Sequence, residues 1–236
     1  MSELGLIAWE APGPYVVAFT TRRGGVSEAP FDTLNLGRLT DDPPEHVAEN
    51  RRRLCAELDT DPDRLCFGRQ VHGADVRRAA GSGEPGDGLW TDTPGEPLLV
   101  FTADCLPVAI VRANGGAPAV AALHVGWRGL LAGILENAAS ILGGGRLAAV
   151  IGPGIGPCCY EVGREVADPF RERFGERVVE GGRLDLWTSA ERALKAAGVA
   201  DVYRTDFCTA CNAELFFSHR RDDGRTGRQG MVAYVA

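Results

Sequence analysis

The chain has 236 residues, 44% of them apolar and 24% charged, with a net charge of −7. This is the composition of an ordinary globular protein of one large domain or two small ones; it excludes a disordered chain, and the acidic balance argues against a nucleic-acid or anionic-membrane partner, which would need a dense Lys/Arg face. Seven cysteines, an odd count, and an amino terminus (Met1-Ser-Glu-Leu-Gly5) without the basic segment and apolar core of a signal peptide predict the reducing cytoplasm, where disulfides are not the default.

In chain order, Tyr15 to Thr20 reads as a β-branched and aromatic strand ending in the turn Thr21-Arg-Arg-Gly-Gly-Val-Ser27. Free backbone N–H groups beside two guanidinium groups suit an anion or a ribose-like ligand, although a solvated β-turn explains the same residues. Asp42-Pro-Pro-Glu45 predicts a helix start with Asp42 as N-cap and Glu45 closing a capping box. Val47, Arg51, Leu54, Cys55 and Leu58 then share one face, and Asn50 is either a helix-surface amide or a partner for a nearby turn. Leu65 to Gly68 reads as a short strand leading to His72 in Arg69-Gln-Val-His-Gly73. The glycine-rich stretch Gly81 to Gly88 reads as a mobile polar connection within the domain.

Two apolar runs dominate the middle of the chain. Phe101-Thr-Ala-Asp-Cys-Leu-Pro-Val-Ala-Ile-Val111 and Ala122-Leu-His-Val-Gly-Trp-Arg-Gly129 predict buried strands that place Cys105 and His124 at strand ends, where a rigid sheet can hold soft ligands together. Neither run is a membrane span, since Leu98 to Val111 is interrupted by Asp104, Cys105 and Pro107. Apolar residues from Trp127 to Leu142 recur at helical spacing until Gly143-Gly-Gly145, which puts Arg128 in the first turn.

Leu147 to Ile151 predicts another buried strand, opening into Gly152-Pro-Gly-Ile-Gly-Pro-Cys-Cys-Tyr160. Vicinal cysteines rarely pair with each other, so Cys158 and Cys159 are either packed or thiols near a pocket. A helix follows with Val162, Val166, Phe170 and Phe174 on one side, then a helix from Leu186 to Ala197 and a strand at Val202-Tyr203. Cys208-Thr-Ala-Cys211 has zinc-knuckle or redox spacing, but no second C-x-x-C exists, which argues against a structural zinc there. In Phe216-Phe-Ser-His-Arg-Arg221 and Gly227-Arg-Gln229, three arginines flank an aromatic pair and suit a phosphate, a carboxylate or a stacked base.

Thr21-Arg22, Gly24-Gly-Val-Ser27, Leu34-Asn35, Asn50-Arg51, Gln70-Val-His-Gly73, Thr102-Ala-Asp-Cys-Leu-Pro107, His124-Val-Gly-Trp-Arg-Gly129, Ile155-Gly-Pro-Cys-Cys-Tyr-Glu-Val162 and Phe216-Phe-Ser-His-Arg-Arg221 together resemble the YfiH family over nearly the whole chain. Its members have been called multicopper polyphenol oxidases with a laccase domain, and also a peptidoglycan editing factor. The resemblance implies a single α+β domain over residues 1–236, layered from mixed sheets and helices and similar to the catalytic domain of the cytotoxic necrotising factor toxins. It also implies that His72, Cys105 and His124 bind zinc at the bottom of a pocket, an arrangement that leaves the fourth tetrahedral position for water or substrate.

The activity implied is phosphorolysis of adenosine, inosine and methylthioadenosine, with deamination of adenosine, so the expected partners are a purine nucleoside and phosphate. The alternatives are an amidohydrolase that edits a mis-charged muropeptide precursor, a polyphenol oxidase, and a non-catalytic metal-binding protein. Laccase chemistry needs a type 1 copper and a trinuclear cluster, for which four histidines are too few, so copper is disfavoured against zinc. The expected catalytic groups are Cys105, His72, His124 and Asp104, with Asp104 as proton shuttle unless strand alternation turns it from the pocket. Arg22, Ser27, Asn35, Arg128 and Arg221 are the expected substrate-binding groups, the arginines as phosphate cations. The residues leave the oligomeric state open.

Overall fold

The computed structural model describes residues 4–236. Residues 1–3, on which the reading of the amino terminus partly rests, lie outside that range. In chain order the elements are β1 (Ile7–Trp9), β2 (Tyr15–Phe19), α1 (Pro44–Glu57), β3 (Val76–Arg78), β4 (Gly88–Thr91), β5 (Leu98–Thr102), β6 (Leu106–Asn114), β7 (Val120–Val125), α2 (Trp127–Leu131), α3 (Ile134–Leu142), β8 (Arg146–Ile151), α4 (Arg164–Phe174), β9 (Val179–Glu180), β10 (Arg183–Leu184), α5 (Leu186–Ala196), β11 (Asp201–Arg204) and β12 (Gln229–Val235). An antiparallel sheet runs β1-β2-β12-β5 and a mixed sheet runs β11-β8-β6-β7-β4-β3, with parallel pairs at its two edges. No helix among the described residues is long and apolar enough to cross a membrane.

Strand alternation builds the layers. Val108 and Ile110 of β6, with Ala121, Leu123 and Val125 of β7, face a core shared with α2 to α5, while Ala109, Val111, Val120 and Ala122 face the other sheet. On β12, Met231, Ala233 and Val235 point between the sheets, and Val232 and Tyr234 point to the third core under α1. The result is an α+β stack of helix, sheet, sheet and helices.

Several expected elements are corrected. The run from Phe101 to Val111 is two strands in different sheets, because Ala103 to Cys105 turns between them and Asp104 adopts φ 90°. The helix from Trp127 to Leu142 is two, broken at Gly133 in the left-handed region at φ 90°. Leu65 to Gly68 forms no strand beyond a single bridge from Cys66 to Leu98. Asp42 does not cap α1, which starts after Pro43 without a side-chain cap; its carboxylate accepts instead from Ser27 Oγ and Asn35 Nδ2. Asn50 takes the turn-partner role, accepting from Val26 N and donating to Ser27 Oγ.

Candidate metal centre

β7 and the turn between β5 and β6 meet a third segment at one end of the inter-sheet layer. His124 shares the strand parity of Val120 and Ala122, so its imidazole belongs to the inter-sheet side, near the end of β7. Cys105 lies in the crossing turn, one residue before β6. His72 comes from the loop before β3, which Gln70 pins to β5 by donating to Phe101 O and accepting from Phe101 N at 2.7 and 2.8 Å.

The ligand atoms of His72, Cys105 and His124 lie within 4.8 Å of one another. The two imidazole rings stand edge to face with centroids 4.9 Å apart. Tetrahedral bonds of about 2.0–2.3 Å place neighbouring N and S ligands about 3.3–3.8 Å apart, so a small closing movement would seat an ion, and the His2Cys donor set suits a soft divalent metal.

Asp87 organises this centre. Its Oδ1 lies 2.8 Å from His124 Nδ1, which leaves Nε2 as the nitrogen turned to a metal. The same carboxylate accepts the backbone N–H of Val71, His72 and Gly73 at 3.0, 2.9 and 2.8 Å, a backbone cradle for an anion that holds His72 in the left-handed region at φ 61°. Asp87 is 1% exposed; burial pushes its carboxyl up, but His124 and the loop N–H groups keep it below the usual carboxylate range. The stretch expected to be a mobile connection therefore ends in a buried anchor. The cue in the sequence was an acid between two glycines, Gly86-Asp-Gly88, directly before a strand.

Burial pushes the Cys105 thiol up, yet the His124 charge and hydrogen bonds from both histidines outweigh it and bring the thiol down to about 6. Burial pulls His124 down, but Cys105 and Asp87 raise it to about 9. Each group thus favours the charged form of the other. Gly126 completes the packing, since a Cβ there would sit 3.0 Å from Cys105 Sγ and 3.2 Å from His72 Cδ2. Gly126→Ala is expected to weaken metal binding roughly tenfold, the low end for disturbing a ligand's supports. A chelator competition titration measures this, and wild-type affinity in the variant would contradict the crowding.

The three ligands open into a cavity of about 550 Å³. Phe67, Phe101, Ile155 and Leu186 give it apolar walls, and Arg38, Arg51, Arg69, Arg220 and Arg228 bring positive charge to it. Tyr160 and His219 also face it. Burial pushes the Tyr160 phenol up to about 12, with the Cys105 and Asp104 charges adding to the effect and those of Arg220 and Arg128 opposing it.

All five residues expected to bind substrate stand off the cavity wall. Arg22 pairs with Asp32 and donates to Ala213 O. Ser27 and Asn35 belong to the buried network around Asp42 and Asn50. Arg221 is held by Asp222, Thr209 O and Phe216 O. These four pin loops together and do not line the cavity. Arg128 is exposed over the Trp127 ring, also off the cavity wall. Asp104 borders the cavity, but Thr209 Oγ1 and Arg220 N donate to its two oxygens at 2.6 and 2.7 Å, which makes it an anchor of the wall rather than a free proton shuttle. Of the arginines that the sequence offered for a phosphate, Arg220 and Arg228 do line the cavity; Asp87, Tyr160, Arg38 and Arg69 were not singled out as site residues, because their approach to the centre is set by the fold.

Residues 16–236 match the family model described as multi-copper polyphenol oxidoreductase laccase. The chain is 43% identical to a protein of Pseudomonas aeruginosa named a purine nucleoside phosphorylase, over 96% of each chain. It is 39% identical to the Escherichia coli purine nucleoside phosphorylase YfiH over the full length of both. Its structure superimposes on the crystal structure of YlmD from Geobacillus stearothermophilus with a TM-score of 0.92 and 34% identity, covering 100% of this chain and 97% of that one.

Proposed function

Because this chain belongs to the family described as multi-copper polyphenol oxidoreductase laccase, among whose relatives several are named purine nucleoside phosphorylases, we propose that it is a zinc-dependent purine nucleoside phosphorylase that also deaminates adenosine. What supports this above all is the placement of His72, Cys105 and His124 in a cavity that joins apolar walls to several arginines. The volume of about 550 Å³ is that of a small-molecule site. Phe67, Phe101, Ile155 and Leu186 suit a purine, and Arg38, Arg69, Arg220 and Arg228 suit phosphate. Against a laccase stand the four histidines of the whole chain, of which His46 pairs with Asp42 away from the cavity.

His72, Cys105 and His124 would hold the zinc ion, which would supply the Lewis acidity that hydrolytic deamination needs. The arginines orient phosphate for attack at the ribose carbon and neutralise its charge. Tyr160, which faces the cavity and carries its phenol proton at neutral pH as any tyrosine does, offers that proton to a nitrogen of the departing base. Tyr160→Phe is expected to lower kcat roughly a hundredfold with KM little changed; an unaltered kcat would remove the tyrosine from the proton path.

The activity is tested by incubating zinc-loaded protein with adenosine or inosine in phosphate buffer. Adenine or hypoxanthine with ribose 1-phosphate is the expected phosphorolysis product, and inosine from adenosine reports deamination. Full recovery of both nucleosides would reject the proposal and move amide hydrolysis of a mis-charged muropeptide precursor to the front.

A further inference from the structure

Outside this cavity, the parallel pairing of β8 with β11 has a consequence for the remaining cysteines. Parallel neighbours run the same way, so the loops that follow them leave the sheet side by side. One is Gly152 to Tyr160 and the other begins at Thr205. They are stitched by Gly154 N to Phe207 O at 3.1 Å and Thr209 N to Gly154 O at 3.0 Å. A tight turn, in which Cys159 N and Tyr160 N both donate to Gly156 O, presents the vicinal pair Cys158-Cys159 to the Cys208-x-x-Cys211 turn. The second pair that a four-sulfur site requires is thus supplied by adjacent residues rather than by another C-x-x-C.

All four sulfurs lie within 4.8 Å of one another. Cys211 Sγ is 3.5 Å from Cys158 Sγ and 3.4 Å from Cys159 Sγ. A tetrahedral ion with metal–sulfur bonds of about 2.3 Å separates its sulfurs by about 3.8 Å. Gly156 N donates to Cys208 Sγ at 3.3 Å, the kind of N–H to sulfur bond that steadies a thiolate ligand. Cys158 and Cys211 are exposed, so an ion can enter from solvent, while Cys208 is buried.

We propose that Cys158, Cys159, Cys208 and Cys211 form a second metal site, a closed four-thiolate site for zinc, separate from the His72, Cys105 and His124 centre. Binding releases the thiol protons to solvent and leaves no open coordination position, so its role is structural. The site clamps one wall of the cavity: Tyr160 follows Cys159, and Thr209, next to Cys208, holds Asp104.

Metal analysis of protein made with ample zinc is expected to give about two equivalents per chain. Cys158→Ser/Cys211→Ser should lose one and keep the other, and Cys105→Ala should show the reverse selectivity. A second readout needs no variant. In the zinc-loaded wild type the exposed Cys158 and Cys211 should resist alkylation and become reactive once a chelator is added, as followed by mass mapping. The proposal is overturned by unchanged zinc in the double variant, by immediate alkylation of Cys158 and Cys211 in zinc-loaded protein, by a disulfide within the cluster, or by iron with acid-labile sulfide in place of zinc.

Discussion

Cys105→Ala is expected to remove one equivalent of metal and to reduce nucleoside turnover to background. Two imidazoles alone make a weak site, since the thiolate is the only anionic ligand of the three and a catalytic zinc already lacks a fourth protein donor. In the metal-free protein Cys105 sits at about 6 and His124 at about 9. Near pH 7.5 the thiol has therefore already lost its proton, while His124 must give one up to bind an ion. Zinc binding at that pH should release about one proton from this pair, and affinity should rise with pH until His124 is neutral. Calorimetry in buffers of different ionisation enthalpy counts the protons. Metal content in the variant equal to wild type, or turnover undiminished, would show that the ion and the chemistry reside elsewhere.

The second large effect is expected at Asp87. Asp87→Ala strips the acceptor from Val71, His72 and Gly73 N and from His124 Nδ1 in one step, in a place closed to water. Removing one partner of a buried charged network costs about 3–5 kcal/mol, so the variant should unfold at markedly lower temperature or denaturant. Asp87→Asn keeps the shape and one acceptor oxygen but loses the charge. It should fold and bind zinc roughly 10–100-fold more weakly, the usual penalty for loss of a carboxylate behind a metal-bound histidine. Because the folded carboxyl is held below its usual range, its contribution is present at neutral pH and is lost as pH falls through that lowered value. Acid unfolding of wild type against Asp87→Asn measures this, and coincident curves would rule out the anchoring role.

The three soft ligands were legible because each carries its own local mark. His72 precedes a glycine, Cys105 breaks an apolar run, and His124 ends one before Gly126. Strand and helix content was legible for the same reason: Val108 to Val111 and Val120 to Leu123 are apolar at every position, as strands buried on both faces are. The substrate-side assignments were not legible. Arg22, Ser27, Asn35 and Arg221 have the chemistry of a ligand site, but their sequence context does not say whether a guanidinium meets a carbonyl of its own chain or a phosphate.

By itself the sequence determined most strands and helices and marked His72, Cys105 and His124 as isolated soft-ligand residues, since these follow from periodicity and side-chain chemistry within a few residues, while the layered α+β fold and the joint ligand set were what the family resemblance implied. Only the tertiary structure decided what stands next to what. Asp87 reaches His124 across 37 positions, and Cys159 reaches Cys211 across 52, through sheet pairings that no local pattern encodes. A one-residue slip in strand register would turn His124 toward the helices and leave Asp87 without its partner. The centre therefore depends on long-range register, which is set when both faces of the six-stranded sheet are buried together.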